Sequence, residues 1–232
     1  MLIFKNVTKT FQLSEKNSIT PINNVSFEIK RNELVIIIGR SGSGKSTLLN
    51  LAAGLVFPSS GSIHVNGKNL AHLTDSEVSK LRSTNIGFVF QFPSLLPSLT
   101  IAENISLPLD FSSDRKKLNK DRVFELLKRV DLSSKANMHP KHLSAGEQKR
   151  AVIARALFNE PDIILADEPT SDLDQSNEKQ IMDMIRSLNS SGVTFVVVTH
   201  NLELLPFATT AYEMENGFLN RISAEKDVIP SG

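Results

Sequence analysis

No cysteine occurs in the chain. Disulfides and thiolate-bound metal sites are therefore excluded, and the composition suits a reducing cytoplasm. No sign of charge is in excess: 26 Lys+Arg face 25 Asp+Glu, for a net charge of +1. A polybasic membrane anchor and a strong binder of nucleic-acid backbones are thus not expected. No apolar run approaches the length that spans a bilayer. The start Met1-Leu2-Ile3-Phe4-Lys5 lacks the long apolar core and cleavage site of a signal peptide. Any membrane role must come through a partner. Repeats, low-complexity tracts and long linkers are also missing. What remains is an ordinary globular composition, 40% apolar and 22% charged over 232 residues, enough for one large or two small domains.

Against this background stands the run Gly39-Arg40-Ser41-Gly42-Ser43-Gly44-Lys45-Ser46-Thr47. It follows the apolar stretch Leu34 to Ile38 and precedes Leu48-Leu49-Asn50-Leu51-Ala52. A buried strand, a glycine-rich loop and a helix start in that order predict a cradle for a nucleoside triphosphate with Mg²⁺. Backbone N–H groups at a helix start, aided by its dipole, meet the phosphate charge. Gly42 and Gly44 let the backbone curl around the phosphates. Lys45 is a point charge for the β- and γ-phosphates. The Ser46 hydroxyl is placed for Mg²⁺, with Thr47 a neighbouring hydroxyl.

Strands are expected at Leu2 to Phe11, Val25 to Ile29, Leu34 to Ile38, Ser62 to Val65 and Ile86 to Phe90. Asp75 to Leu81 reads as a short helix. From Phe92 to about Phe158 the pattern turns mostly helical. It opens on the apolar, proline-punctuated loop Phe92 to Pro97, followed by helices at Asp121 to Val130 and Ala145 to Phe158. Strand Ile163 to Ala166, helix Gln175 to Leu188 and strand Val193 to Val198 form a strand–helix–strand unit, hence a parallel sheet. Thr210 to Met214 and Phe218 to Ile222 flank an Asn216-Gly217 turn. A loosely held tail is expected from Ala224.

The strand Ile163 to Ala166 ends in Asp167-Glu168. Ligands of open parallel sheets sit at the carboxyl ends of strands, which puts Asp167 in reach of the Mg²⁺ of a bound triphosphate. Glu168 could orient or deprotonate an attacking water. A pair that merely caps a strand end is the alternative, and the phosphate loop outweighs it. Ser144, followed three residues later by Glu147, predicts a capping box. The same helix start, with Gly146, could offer N–H groups to a γ-phosphate, and both roles are compatible.

These residues together resemble the ATP-binding cassette (ABC) ATPases. The resemblance rests on the phosphate loop, Gln91 after Ile86 to Phe90, Leu143 to Gln148, Asp167-Glu168, Ser171-Asp172-Leu173-Asp174 and His200, in that order over nearly the whole chain. Phe88 to Phe92, Leu95 to Thr100 and Glu103-Asn104 resemble the subfamily of lipoprotein release and macrolide or peptide export. The implied fold is an α/β P-loop NTPase with a mostly parallel core sheet, an antiparallel β subdomain and a helical subdomain. It implies a single domain, residues 1–232, with the core in 1–91 and 159–232 and the helical subdomain in 92–158.

The resemblance also implies roles. The loop from Gly39 through Arg40, Ser41, Gly42, Ser43 and Gly44 to Lys45, Ser46 and Thr47 binds ATP. Ser46, Gln91 and Asp167 serve Mg²⁺, Glu168 is the catalytic base, and His200 contacts the γ-phosphate. Ser144 and Gly146 reach ATP held by an opposite subunit, and Asp174 lies in a segment crossing the dimer interface. Phe11 stacks on adenine or is a core strand residue, two equal alternatives. Three positions depart from the family pattern: Ala145 stands for a glycine, Glu147 for a glutamine, and Phe11 where many relatives carry tyrosine. The expected function is an ATPase working as a homodimer or pseudo-symmetric pair at the cytoplasmic face of the bacterial inner membrane. It powers export or extraction through a transmembrane permease, with no nucleic-acid partner. The alternative is a soluble ABC ATPase acting on nucleic acid or ribosomes.

Overall fold

An unbroken apolar run such as Leu34 to Ile38 buries both faces of a strand, and the architecture supplies a layer for each. The computed structural model describes residues 1–14, 17–111 and 120–224. The strands are β1 (Leu2–Ser14), β2 (Asn17–Ile29), β3 (Leu34–Ile38), β4 (Ser60–Val65), β5 (Lys68–Asn69), β6 (Ile86–Val89), β7 (Ile163–Asp167), β8 (Thr194–Thr199), β9 (Thr210–Glu215) and β10 (Phe218–Ile222). The α-helices are α1 (Lys45–Ala52), α2 (Asp75–Asn85), α3 (Ile101–Ser106), α4 (Lys120–Arg129), α5 (Ala145–Ala156) and α6 (Gln175–Ser190).

A six-stranded sheet has the order β10-β9-β3-β8-β7-β6. Its strands are parallel except β10, which returns antiparallel to β9 through Asn216-Gly217. A four-stranded antiparallel sheet, β2-β1-β4-β5, forms the second layer. Side chains of β3 alternate between two apolar clusters. Leu34, Ile36 and Ile38 join helices α3 to α6, whereas Val35 and Ile37 join α1 and the antiparallel sheet. Strands β7 and β8 divide in the same way, with Ile164 and Val197 on the first side and Leu165 and Val196 on the second.

Differences from the sequence expectations have local causes. The first hairpin is longer: β1 runs to Ser14 and β2 starts at Asn17, not Val25. Pro21 and Asn23-Asn24 break the strand signal, and repeated register shifts along β1–β2, with Asn6 and Asn24 at positive φ, scramble the two-residue period. Helix α2 continues four residues past Leu81 and passes directly into β6. Helix α3 is not picked out by the sequence pattern, because it has six residues and lies between prolines. Its Thr100–Glu103 capping box and the buried Asn104, bonded to the backbone of Leu96, Leu99 and Thr100, hold it in place. Beyond Ala224, the expected loose tail concerns residues 225–232, outside the described residues. No described helix is long and apolar enough to cross a membrane.

Candidate nucleotide site

The strand order β3-β8-β7-β6 sets four carboxyl ends side by side. The glycine-rich loop follows β3, His200 follows β8, Asp167 ends β7 with Glu168 next, and Gln91 lies just past β6. Segments from all four ends, with Phe11 of β1, line one cavity of about 630 Å³. Gly39 and Ser43 line an adjoining cavity of about 600 Å³ beside the Asn216-Gly217 turn. Ser144 and Gly146 line neither cavity, being at the start of α5.

The loop is built for anions. Gly44, the N-cap of α1, has φ 109°, and a Cβ there would lie 2.2 Å from the Pro21 carbonyl oxygen. Backbone sign and crowding by β2 both require glycine at this point. Helix α1 has no side-chain cap and no acidic residue in its first turn. Thr74, Thr100, Ser144 and Asp174 cap α2, α3, α5 and α6 with side-chain oxygens. The donors at the start of α1 are left for a ligand. Ser43 Oγ is buried with no hydrogen-bond partner among the described residues.

Lys45 is 6% exposed, and its Nζ donates to the carbonyls of Gly39 at 2.7 Å and Arg40 at 3.0 Å. Burial pushes its pKa down, while Glu168, 4.0 Å away, and Asp167 oppose that shift. Burial pushes the Asp167 pKa up, and the neighbouring Glu168 adds to this. A hydrogen bond from Ser46 and the charge of Lys45 pull it back. Glu168 has φ 46°, the left-handed region, which is strained for a glutamate. Its N–H donates to Val198 O at 3.0 Å, and its carboxylate lies 3.0 Å from His200 Nδ1. The Glu168 side chain is 12% exposed and that of His200 67%, so the pair spans from interior to rim.

The remaining residues divide. Ser144 and Glu147 form the complete capping box, and the Ser144 N–H holds the Glu147 carboxyl below its usual range against burial, with help from Lys135. Ala145 is exposed as the first residue of α5, so its methyl meets no crowding. Gly146 is buried, and a Cβ there would approach Asn177 Oδ1 to 3.3 Å. Asp174 caps α6 by accepting from the Asn177 N–H at 2.9 Å. Phe11 is half-buried and belongs to neither apolar cluster, with Lys9 Nζ 4.8 Å from its ring centroid. Sequence reasoning missed Lys149, buried in α5, whose Nζ donates to the Gln91 carbonyl. The available signal was a lysine at i+3 from Gly146 on the buried face.

The donor set fits a small hard cation: the Ser46 hydroxyl, the Asp167 carboxylate and the Gln91 amide oxygen. Among the described residues no group of three or more His, Cys, Asp or Glu side chains forms a metal cage. Mg²⁺ suits such a sparse site, because it keeps waters and takes phosphate oxygens as ligands.

A phosphate loop opening a helix, with an acidic pair at the carboxyl end of a parallel strand one removed in the sheet, defines a P-loop nucleoside triphosphatase. The family model for ABC transporters matches residues 22–171, and the chain belongs to that family. It is an ATP-binding, ATP-hydrolysing subunit of an ABC membrane complex. It is 43% identical over 215 residues to the lipoprotein-releasing system ATP-binding protein LolD of Buchnera aphidicola subsp. Schizaphis graminum, covering 92% of this chain and 93% of that one. It is 39% identical over 231 residues to the probable syringafactin export ATP-binding/permease protein SyfD of Pseudomonas syringae pv. syringae, covering 99% of this chain and 35% of that protein. Among solved structures, the ATP-binding cassette MJ0796, a dimer in a post-hydrolysis state bound to ADP and Pi, superposes with TM-score 0.85 at 40% identity. That match covers 97% of this chain and 99% of the other.

Proposed function

We propose that the chain works as one of a pair of ATPase subunits on the cytoplasmic face of the bacterial inner membrane. The pair powers export or extraction of a lipoprotein, peptide or drug-like cargo through a separate transmembrane permease. One observation carries the paired site: Ser144 and Gly146 stand at a helix start outside the cavity that holds Lys45, Asp167 and Glu168. A second copy, turned to face the first, brings that helix start onto the γ-phosphate and closes the site. The dimeric MJ0796 cassette supports this pairing. Similarity to the LolD and SyfD proteins supports the direction and the cargo class.

The residue roles follow from charge and reach. Lys45 and the uncapped N–H groups of α1 bind the β- and γ-phosphates. Ser46, Asp167 and Gln91 hold Mg²⁺, which when bound offsets charge on the phosphate oxygens. Glu168 takes the proton of the attacking water as the water oxygen bonds to the γ-phosphorus and ADP leaves. His200, at 3.0 Å, orients that carboxylate and contacts the γ-phosphate from the rim. The face of Phe11 receives adenine.

A separate apolar groove of about 430 Å³ runs between β6 and the C-terminal end of α5, lined by Leu55, Phe88, Phe90, Leu107 and Pro108. Phe90 is 46% and Phe92 71% exposed. Arg155 holds the adjacent loop through Ser94 O at 2.7 Å and Ser94 Oγ at 2.6 Å. The groove supports permease docking, and Gln91 lies between it and the nucleotide cavity, so motion passes from one to the other.

Light scattering on Glu168→Gln protein tests the pairing. With ATP the mass should double, and Ser144→Arg should keep it monomeric while ATP still binds. A monomer at every ATP concentration, or a Ser144→Arg dimer of unchanged affinity, refutes the paired site.

A further inference from the structure

Lys149 is a buried cation for which the mechanism above has no use. It is 3% exposed, in the second turn of α5, on a helix whose first residues carry Ser144 and Gly146. Its ammonium donates to the backbone carbonyl of Gln91 and to Ser171 Oγ at 3.3 Å. Asp172 and Glu168 add favourable field against the cost of burial. A lysine so deeply buried is rare unless it is paired or hydrogen-bonded. Here it joins three segments distant in sequence: the strand end carrying Gln91, the helix that presents Ser144, and the Ser171–Asp174 turn that follows Glu168.

We propose that Lys149 is a positioning residue for ATP hydrolysis. Its ammonium fixes the backbone at Gln91, and so the direction of the Gln91 side chain, to the signature helix and the Ser171 turn. The three segments then move as one unit when the second subunit closes. Lys149 does not touch the nucleotide cavity, whose lining includes Gln91 but not residue 149. The contribution is therefore to the alignment of bound ATP and water, not to the binding of ATP. A chain that loses the ammonium still fills the phosphate loop and still presents Glu168, but Gln91 is no longer registered with the helix start. Misplacement of this kind lowers turnover more than affinity.

The inference rests on Gln91 and Glu168 serving hydrolysis, and Glu168→Gln in the same assay tests that premise separately. The experiment uses the ATPase pair assembled with its permease. Lys149→Met removes the ammonium and keeps the apolar stem. It should lower kcat at least tenfold while KM for ATP and the Kd of a fluorescent ATP analogue change less than twofold. Lys149→Gln retains an N–H donor for the Gln91 carbonyl and should recover at least a third of wild-type kcat. Three results overturn the proposal. These are kcat of Lys149→Met within twofold of wild type, a parallel loss of kcat and nucleotide affinity in either variant, or Lys149→Gln no faster than Lys149→Met. If Lys149→Met does not fold, Lys149→Gln decides by the recovery and the affinity criteria. Normal turnover by Glu168→Gln would instead remove the catalytic reading itself.

Discussion

Glu168→Gln separates chemistry from binding, and the geometry sets a magnitude for each. The substitution keeps the side-chain volume and a hydrogen bond to His200, now 3.0 Å from Glu168 Oε1. It removes the only property the base needs, a carboxylate that accepts a proton. Loss of a positioned general base costs about 10²- to 10⁴-fold in rate, roughly 3–5 kcal/mol of barrier. Binding should move the other way. Glu168 Oε1 lies 4.0 Å from Lys45 Nζ. Opposite charges at about 4 Å attract by about 1 kcal/mol in water and about 4 kcal/mol near a protein surface. That attraction competes with the phosphates for Lys45, and the carboxylate also repels the γ-phosphate. Even about 1 kcal/mol predicts an ATP Kd about fivefold tighter. Steady-state phosphate release reads the first quantity, and equilibrium titration with ATP without turnover reads the second. Turnover within threefold of wild type would refute Glu168 as the base. Weaker ATP binding would refute the competition for Lys45.

Asp167→Asn should raise the thermal midpoint of the nucleotide-free protein while cutting Mg²⁺-dependent turnover by about 100-fold or more. The sign follows from the raised Asp167 pKa. The folded chain holds this proton more tightly than the unfolded one, so stability falls as pH rises from the ordinary carboxylate value through the raised one. Asparagine mimics the protonated form and lifts that penalty at neutral pH, which calorimetry at pH 4 and 7.5 checks by a gain confined to the higher pH. Phe11→Ala should weaken ATP about 5- to 160-fold, the worth of one base stacked on an aromatic ring, and Phe11→Tyr should leave it within about twofold, both read by nucleotide titration. Phe92→Glu places a charge on a side chain that is 71% exposed, two residues past the groove-lining Phe90. It should abolish co-purification with the permease and permease-stimulated turnover, while ATP hydrolysis by the chain alone stays unchanged.

Local, contiguous features carried the reading from sequence. The phosphate loop, the Asp167-Glu168 step and the Ser144–Glu147 box each lie within a few residues, so backbone and side chain meet wherever the rest of the chain goes. All-apolar strands such as Leu34 to Ile38 were equally legible, since burial on both faces leaves no polar position. The first hairpin was only half legible. Its bulges and Pro21 break the period, yet that hairpin sets Phe11 at the cavity and Pro21 against Gly44.

What the chain alone determined, then, is the kind of ligand and the candidate groups for it, because those depend on short-range spacing. Tertiary structure decided which of those groups become neighbours. Strands third, sixth, seventh and eighth in the chain stand as β3-β8-β7-β6, an order set by long-range pairing that no local pattern encodes. It brings His200 onto Glu168 across 32 residues and lays Lys149 against Gln91 across 58. It also leaves Ser144 outside the cavity, exposed at the start of α5, where the proposed second subunit would meet it.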